Sequence, residues 1–341
     1  MPYVSMVEDR PALPGAHTYM TRFTPDRCPH PACEHAVNFQ FQRFGRYERK
    51  CDGREVQRFR CKTCRHSFSI QTFRFDYRQR KPHINHPVLS AFVSKCTQRQ
   101  LSRTLLLNRK TIARRLEQMG RHCEAFHRAA MATAPSLVHF HSLAMDELET
   151  FEANRLQRPL TMPMVVVRGS YFIVDFEVGA LAPRTKRPAG VPRHTRRSES
   201  SKAVATVLAR VARALQATAV GELVTDKKKT YPTLIRCAFG RRLQQRTVSA
   251  KAERSNENPL FAVNLTFAML RDGISRLVRR NWAHSKLAAR LVRHAWIWVA
   301  WRNYVRPRTV RDPDETAATM VGAVSRPLIP MEMIRDRLVW D

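Results

Sequence analysis

Apolar and polar positions in the second half of the chain follow the periods of strands and helices in turn. Three short apolar runs predict strands at 137–144 (LVHFHSLA), 164–168 (MVVVR) and 171–178 (YFIVDFEV). The Gly169-Ser170 pair predicts a hairpin between the last two, because such residues favour tight turns between strands. The first run leads directly into an acidic stretch, MDELE.

After these strands the period changes to that of helices alternating with single strands. The predicted order is a helix at 199–218, a strand at 220–225, a helix at 231–239, a strand at 243–248, and helices at 264–286 and 287–304. Three strands followed by alternating helices and strands is the order of an RNase H-like domain, with a mixed sheet and flanking helices. In that fold the first and fourth strands are central neighbours.

Upstream, residues 88–131 have the pattern of a helix-turn-helix. Short helices are predicted at 88–96 and 98–105, and a long basic helix at 109–132. Thr97 and Asn108 precede the second and third helices, where their side chains are suited to act as N-caps.

The predicted helices of this segment have an apolar face and a separate basic face. Five apolar residues at helical spacing are predicted to share a core: Leu101, Leu105, Ile112, Leu116 and Met119. Four basic residues are predicted to lie outside that stripe: Arg109, Lys110, Arg114 and Arg115. A recognition helix presents such groups to the major groove of DNA. The alternative is a helical hairpin with a solvated basic face.

Two cysteine pairs near the N-terminus have the spacing of a zinc ribbon. Their residues are Cys28, Cys33, Cys61 and Cys64, with strand-like sequence between the pairs. Two thiolates from each turn can share one tetrahedral Zn²⁺. His30 could compete as a ligand, and Cys51 is interpreted as a strand residue rather than a ligand. A buried cluster of free thiols is the alternative.

Charge narrows the choice of partner. The chain of 341 residues has 60 Lys+Arg against 28 Asp+Glu, a formal net charge of +32. Such a field favours a polyanion, bound largely through counterion release from phosphates. A ribosome-like or membrane-surface protein is the alternative. The basic, aromatic linker 71–87 and the Pro/Arg/Lys-rich loop 182–198 are predicted to contact DNA.

The same composition bears on the compartment. No apolar run reaches the ~18 residues that span a bilayer, and residues 1–25 lack the pattern of a signal peptide. We therefore expect a cytoplasmic protein that has no membrane partner. Its eight cysteines then indicate metal binding before disulfides.

Two aspartates follow strands that are predicted to be neighbours. Asp146 follows the first strand, and Asp226 follows the strand at 220–225 and precedes Lys227, Lys228 and Lys229. Cleavage and transfer of phosphodiesters use two divalent ions about 3.5–4 Å apart, and Mg²⁺ prefers oxygen ligands. Asp146 is predicted to bind both ions and Asp226 one. The lysines are predicted to contact the DNA backbone.

A third carboxylate is expected near the helix after the last strand. Glu253 is the preferred ligand, Glu257 is the second candidate and Asp272 a remote one. Each could instead be a surface acid that balances nearby Arg and Lys. Glu147 is predicted to have a supporting role, because alternate strand residues point to opposite faces and Glu147 follows Asp146.

Several motifs together resemble one family. They are the zinc ribbon, the helix-turn-helix, Met145-Asp-Glu-Leu-Glu-Thr-Phe151, Val224-Thr-Asp226-x4-Tyr231 and Arg271-x4-Arg276-x2-Arg279-Arg280-x4-Ser285-Lys286. Over about residues 26–305 the chain resembles bacterial insertion-sequence transposases of the DDE type, and within them the group typified by insertion sequence 1.

This resemblance implies DNA cutting at transposon ends and joining of the 3′-hydroxyl to target DNA, with two Mg²⁺ or Mn²⁺ ions. It implies double-stranded DNA as partner, a homo-oligomer on DNA and a location in the bacterial nucleoid. Arg279 and Arg280 are predicted DNA contacts.

The chain departs from the family at the third acid. Glu253-Arg254-Ser255-Asn256 matches the family's Glu-Arg-x-Asn run, but a gapless count back from Ser285-Lys286 places Asn264 there. A site of Asp, Asp and Asn would indicate a catalytically impaired or domesticated DNA-binding protein, which is the alternative function.

The predicted organisation is multidomain α/β. Its parts are a lead-in at 1–25, the zinc ribbon at 26–70, the basic linker at 71–87, the helix-turn-helix at 88–134, the RNase H-like DDE domain at 135–305 and a tail at 306–341.

Overall fold

The structure is a computed structural model that describes residues 23–33, 39–133, 140–184, 196–215, 221–249, 253, 255–278 and 283–338. The described chain forms two compact units. The first comprises the described residues up to His83 together with those of Arg335–Trp340, and the second those of Ile84–Ile334. The division between His83 and Ile84 falls inside the stretch that the sequence predicts to be a linker.

The first unit is built on a small antiparallel sheet. Its strands, in spatial order, are β1 (Phe41–Glu48), β2 (Glu55–Cys61) and β3 (Ser67–Ser69), and a 3-10 turn at Ile70–Phe73 follows. Phe59 and Phe68 face each other across β2 and β3, and both are buried. A sheet this small buries little area, so cross-links must add to its stability.

The second unit begins with helices α1 (Asn85–Val93), α2 (Gln98–Thr104) and α3 (Arg109–Thr133). Thr97 accepts a hydrogen bond from the Gln100 backbone N–H at 3.1 Å, and the Gln100 side chain accepts one from the Thr97 N–H. The Asn108 side chain accepts a hydrogen bond from the Lys110 backbone N–H at 2.8 Å. Both predicted N-cap residues therefore use their side chains as caps, which fixes where α2 and α3 begin.

A mixed sheet forms the centre of this unit. Its strands are β4 (Ser142–Phe151), β5 (Pro159–Val167), β6 (Ile173–Phe176), β7 (Gly179–Ala180), β8 (Glu222–Asp226) and β9 (Gln244–Val248). The spatial order is β6-β5-β4-β8-β9, with β7 paired to β5. β4, β8 and β9 are parallel, and β5 is antiparallel to both β4 and β6. The predicted mixed α/β class is confirmed.

β4 is longer than the sequence suggests. It continues to Phe151, so Asp146 lies within the strand and the prediction that Asp146 ends it is wrong. The reason is β5, which pairs with β4 from Leu143↔Val167 to Phe151↔Pro159 and holds the acidic stretch extended.

The remaining helices of the described chain are α4 (Ser200–Ala214), α5 (Tyr231–Phe239), α6 (Phe261–Gly273), α7 (Ala288–Tyr304), α8 (Ala317–Met320) and α9 (Pro330–Met333). The predicted helix at 264–286 is wrong in extent, because α6 ends at Gly273. A Cβ there would meet the Trp298 indole nitrogen at 2.2 Å, so the helix ends on the residue that allows this contact. Across the described residues, no helix has the length and apolarity needed to cross a membrane.

Helices α3 and α7 pack tightly against each other. Trp296 and Trp298 of α7 are each 1% exposed, so this aromatic helix is packed inside the domain. Arg293 of α7 binds Glu117 and Glu124 of α3 at 3.0 and 2.9 Å. At Gly120 the helices approach so closely that a Cβ would lie 2.6 Å from the Arg293 backbone oxygen.

Gly120→Ala should therefore destabilise the second unit by about 2 kcal/mol, because the α3–α7 contact must open. The sign is diagnostic, since alanine in a helix would otherwise stabilise it by about 1 kcal/mol. Urea unfolding followed by circular dichroism measures the change.

Gly169→Ala is the matched control, because a Cβ at Gly169 has no neighbour within 4 Å. Equal or greater stability for Gly120→Ala would contradict the close contact.

Candidate active site and cysteine cluster

The cysteine cluster has the geometry of a tetrahedral metal site. The Sγ atoms of Cys28, Cys33, Cys61 and Cys64 all lie within 4.8 Å of one another. Cys28 and Cys64 are 3.6 Å apart, and Cys33 and Cys61 are 3.8 Å apart. Four thiolates about 2.3 Å from a Zn²⁺ ion would be separated by about 3.8 Å. The predicted four residues therefore come together and fit zinc.

Aromatic packing encloses this cluster. Cys28 and Cys61 are buried beside Phe59 and Phe68. Burial acts to raise the pKa of Cys61, but hydrogen bonds from the backbone at Cys64 and Thr63 lower that pKa to about 7. Such backbone donors favour the thiolate, which is the form that binds metal.

Two residues that the sequence left open lie outside the cluster. Cys51 is in the turn between β1 and β2, not in a strand as expected. The ring of His30 lies 5.1 Å from that of His66 and is not part of the four-residue set. Neither residue competes for the tetrahedral site in this arrangement.

Purified, reduced protein should contain one zinc ion per chain, and Cys64→Ser should lose it. Loss of one thiolate should also unfold the first unit, because binding energy of a structural zinc is folding energy. Elemental analysis and proteolysis of the ribbon measure the two effects.

Cys51→Ser is the matched control and should retain the metal. Full zinc occupancy in Cys64→Ser would contradict the assignment of this ligand.

The second site is an acid pair on neighbouring parallel strands. β4 and β8 pair in register from Ser142↔Glu222 to Ala144↔Val224, and the same offset places Asp146 opposite Asp226. Neighbouring strands lie about 4.8 Å apart. Both aspartates are half-buried and line one open cleft of about 490 Å³. The sheet therefore brings the two predicted catalytic acids together.

Backbone hydrogen bonds orient both carboxylates. Asp146 accepts one from the Glu147 N–H at 2.7 Å, and Asp226 accepts one from the Lys228 N–H at 3.1 Å. Asp226 forms no ion pair within the described residues. Two carboxylates that share a cleft can hold Mg²⁺, which retains waters and also binds phosphate oxygens of a substrate.

Glu147 is the centre of a hydrogen-bond network beneath this cleft. One carboxylate oxygen accepts hydrogen bonds from Thr161 at 2.6 Å and Ser200 at 2.8 Å. The other accepts one from the Tyr231 hydroxyl at 2.7 Å and binds the Lys228 ammonium. Glu147 thus ties β4 to β5, α4 and α5, and its oxygens are fully occupied. The expectation of a supporting role fits this arrangement.

The network also fixes protonation states. Burial acts to raise the pKa of Glu147, but hydrogen bonds from Lys228, Thr161 and Tyr231 hold it below its usual value. Burial, followed by the charge of Glu147, raises the pKa of the Tyr231 hydroxyl far above its usual value. Glu147 is therefore an anion and Tyr231 a neutral donor.

Glu147→Gln should lower the stability of the second unit by about 2 kcal/mol at pH 7, because the amide cannot accept all four hydrogen bonds. A carboxylate with a lowered folded pKa stabilises above its unfolded pKa, near 4.5, and loses that effect as pH falls through the folded pKa. The difference between wild type and variant should therefore shrink below pH 4.5.

Urea unfolding at pH 7 and at pH 4 measures this difference. Glu149→Gln is the control, because the Glu149 side chain is 58% exposed and pairs with Arg184 at the surface. An equal loss for Glu147→Gln at both pH values would contradict the ionised network.

The three lysines after Asp226 differ in their surroundings. Lys227 and Lys229 are exposed and are placed as a DNA contact requires. Lys228 is half-buried, binds Glu147 and donates to Ser200 at 2.7 Å. No sequence pattern predicts this difference, because it depends on contacts with side chains of α4 and β4.

The predicted recognition residues of α3 also differ in their exposure to solvent. Arg109, Lys110 and Arg114 are exposed, whereas Arg115 is 9% exposed and donates to Gln118 at 3.0 Å. Arg115 therefore lies inside the domain and not on the predicted basic face. Arg279 and Arg280 lie outside the described residues.

The candidates for a third acid are not gathered at the pair. Glu253 is exposed, and its carbonyl accepts a hydrogen bond from the Asn258 side chain. Glu257 lines a different cavity with Ser142, and Ser142 precedes Asp146 by about 13 Å of strand. Within the described chain, neither glutamate joins the aspartates in a cluster of three ligand atoms.

Helix α6 does not supply the acid either. Its only acidic residue is Asp272, which binds Lys95 at 2.9 Å. Asn264, the position reached by the gapless count, is half-buried on α6, and this helix packs against β4 and β5. Asn264 is not among the residues that line the cleft of Asp146 and Asp226, so the described part of α6 supplies no side chain to that cleft.

Comparison with known proteins adds two structural likenesses. The chain is similar to the catalytic domain of the Mos1 mariner transposase (13% identity, 55% of this chain and 86% of the other, TM-score 0.28). It is also similar to the Mos1 strand transfer complex (11% identity, 63% and 76%, TM-score 0.25). At these TM-scores the likenesses establish neither fold nor function. No family model and no curated protein matches the sequence.

Proposed function

We propose that the chain is a DDE-type DNA transposase, which cuts DNA at transposon ends and joins the 3′-hydroxyl to target DNA. The observation that carries the proposal is the register of β4 and β8, which places Asp146 opposite Asp226 at the wall of an open cleft. The strand order β6-β5-β4-β8-β9, with acids on its two central strands, supports an RNase H-like catalytic domain.

Asp146 and Asp226 are the residues that would hold Mg²⁺ or Mn²⁺. Bound there, such ions supply charge stabilisation at the attacking and leaving oxygens of an in-line displacement. The protein itself orients both carboxylates through backbone N–H groups. The exposed Lys227 and Lys229 are positioned to bind backbone phosphates beside them.

DNA recognition is proposed for the remaining modules. Helices α2 and α3 form a helix-turn-helix that presents Arg109, Lys110 and Arg114 to the major groove, and the zinc ribbon adds a second nucleic-acid contact. A net charge of +32 supports a double-stranded DNA partner. We further propose a homo-oligomer on DNA, in the bacterial nucleoid.

A second candidate function is a catalytically impaired DNA-binding protein on the same scaffold. The observation in its favour is that α6 carries Asn264 where the resemblance expects Glu, while Glu253 is exposed and outside the acid pair. Glu253 stays our preferred third ligand, because Glu253-Arg254-Ser255-Asn256 matches the Glu-Arg-x-Asn run of the family that the chain resembles.

Asp146→Asn and Asp226→Asn should each reduce strand transfer about 1000-fold, since each removes a ligand worth several kcal/mol to the transition state. The substrate is a plasmid carrying the gene with its flanking DNA, with Mg²⁺ or Mn²⁺. Asp272→Asn is the control and should retain full activity, because Asp272 pairs with Lys95 away from the cleft.

Unchanged activity in Asp226→Asn would refute the catalytic assignment. Glu253→Gln and Asn264→Glu then separate the two candidates. Loss of activity in Glu253→Gln supports the active enzyme, whereas an inactive wild type that gains activity through Asn264→Glu supports the impaired scaffold.

A further inference from the structure

A second cleft adjoins the acid pair along β4. Its volume is about 680 Å³, and it shares Glu147 and Glu149 with the cleft of the two aspartates. Its other walls come from the residues after β4, from the C-terminal end of α6 and from the 3-10 turn that follows. Four arginines line it: Arg155, Arg184, Arg271 and Arg276. We refer to it as the arginine cleft.

Positive charge is in excess in the arginine cleft. Among its described lining residues, the only carboxylates are those of Glu147 and Glu149. Glu147 is already bound by Lys228 and Tyr231, and Glu149 is bound by Arg184. Arg155 and Arg276 form no hydrogen bond or ion pair within the described chain. Among the described residues, no anion therefore neutralises the guanidinium groups of Arg155 and Arg276.

Arg276 contributes most to this excess of positive charge, because its surroundings are partly buried. It lies on the 3-10 turn Ser275–Leu277, between residues that are both buried, and its own side chain is only half-exposed. Burial, followed by the nearby positive charge of Arg290, lowers the pKa of Arg276 to about 10. A partly desolvated cation beside another cation is unfavourable unless an anion arrives from outside.

Location and chemistry identify that anion. Glu149 lies three residues beyond Asp146 on β4, about 10 Å along the strand, which corresponds to about three base-pair rises of 3.4 Å along the axis of a duplex. Arginine binds phosphate through paired N–H donors more specifically than lysine does. A polymer with evenly spaced phosphates can therefore reach both clefts at once, whereas a single phosphate ion reaches only one.

We propose that the arginine cleft binds backbone phosphates of the DNA strand that passes through the acid pair, with Arg276 and Arg155 as the principal contacts. The proposal deepens the function proposed above and rests on it for the identity of the strand. It assigns phosphate binding to residues near the C-terminal end of β4. These residues are distinct from the lysines after Asp226 and from the basic face of α3.

The test measures DNA binding without chemistry. Full-length protein is titrated into a fluorescein-labelled DNA duplex in EDTA, and anisotropy is recorded at several salt concentrations. The logarithm of affinity falls with the logarithm of salt by about 0.9 for each phosphate contact on duplex DNA. Arg276→Gln and Arg155→Gln should each weaken binding several-fold and reduce this slope by about 0.9, and the double variant by about 1.8.

Arg213→Gln is the matched control, because Arg213 is an exposed arginine on α4 outside this cleft. Its slope should equal that of wild type. Thermal unfolding checks the fold, and Arg276→Gln should unfold at the same or a higher temperature than wild type, because it removes an unneutralised charge. If Arg276→Gln fails to fold, the exposed Arg155→Gln carries the test alone.

A double variant with the wild-type slope would overturn the proposal. Competition with inorganic phosphate provides a second check. The proposal would also be overturned if the variants changed only the competition by inorganic phosphate and left the binding of the labelled duplex unchanged. EDTA removes catalysis from this assay, so the two proposals can fail separately. A wild-type protein that never transfers strands would refute the proposed enzymatic function. A reduced salt slope in the variants would still support phosphate binding in the arginine cleft.

Discussion

The parallel pairing of β4 with β8 is the constraint on which the candidate active site depends. It places two strands from distant parts of the chain side by side, and its register aligns Asp146 with Asp226. A parallel pair needs a crossover connection, which here contains α4. β5 holds the other edge of β4 through an uninterrupted antiparallel ladder. Together these neighbours keep the first acid extended at the middle of a strand.

Strand geometry then gives two adjacent acids different roles. Asp146 and Glu147 are consecutive on β4, so their side chains point to opposite faces. Both residues line the cleft, where Asp146 accepts a hydrogen bond from the Glu147 backbone N–H, whereas Glu147 accepts hydrogen bonds from β5, α4 and α5. The network joins the elements that must hold still for Asp146 and Asp226 to keep their spacing.

What the sequence could predict is local or periodic. The four cysteines, the N-caps Thr97 and Asn108, the α5 helix and both aspartates follow from spacing and residue type. The end of α6 could not be predicted in this way, because it depends on the contact between Gly273 and Trp298, which are far apart in sequence. The burial of Arg115 and the binding of Lys228 to Glu147 were missed for the same reason. Charge in a sequence does not reveal which partner each charge meets.

The charge around Asp226 bears on the choice between an enzyme and a DNA-binding protein. Lys228, which lines the cleft, is bound to Glu147, and Asp226 has no ion-pair partner among the described residues. A carboxylate left unneutralised beside a DNA path repels phosphates, which costs affinity in a protein that only binds DNA. Asp146 and Asp226 would hold a divalent cation, which would offset that repulsion and supply positive charge for phosphate binding. The oriented Asp226, which has no ion-pair partner among the described residues, therefore supports the proposed metal-dependent enzyme over a protein that only binds DNA.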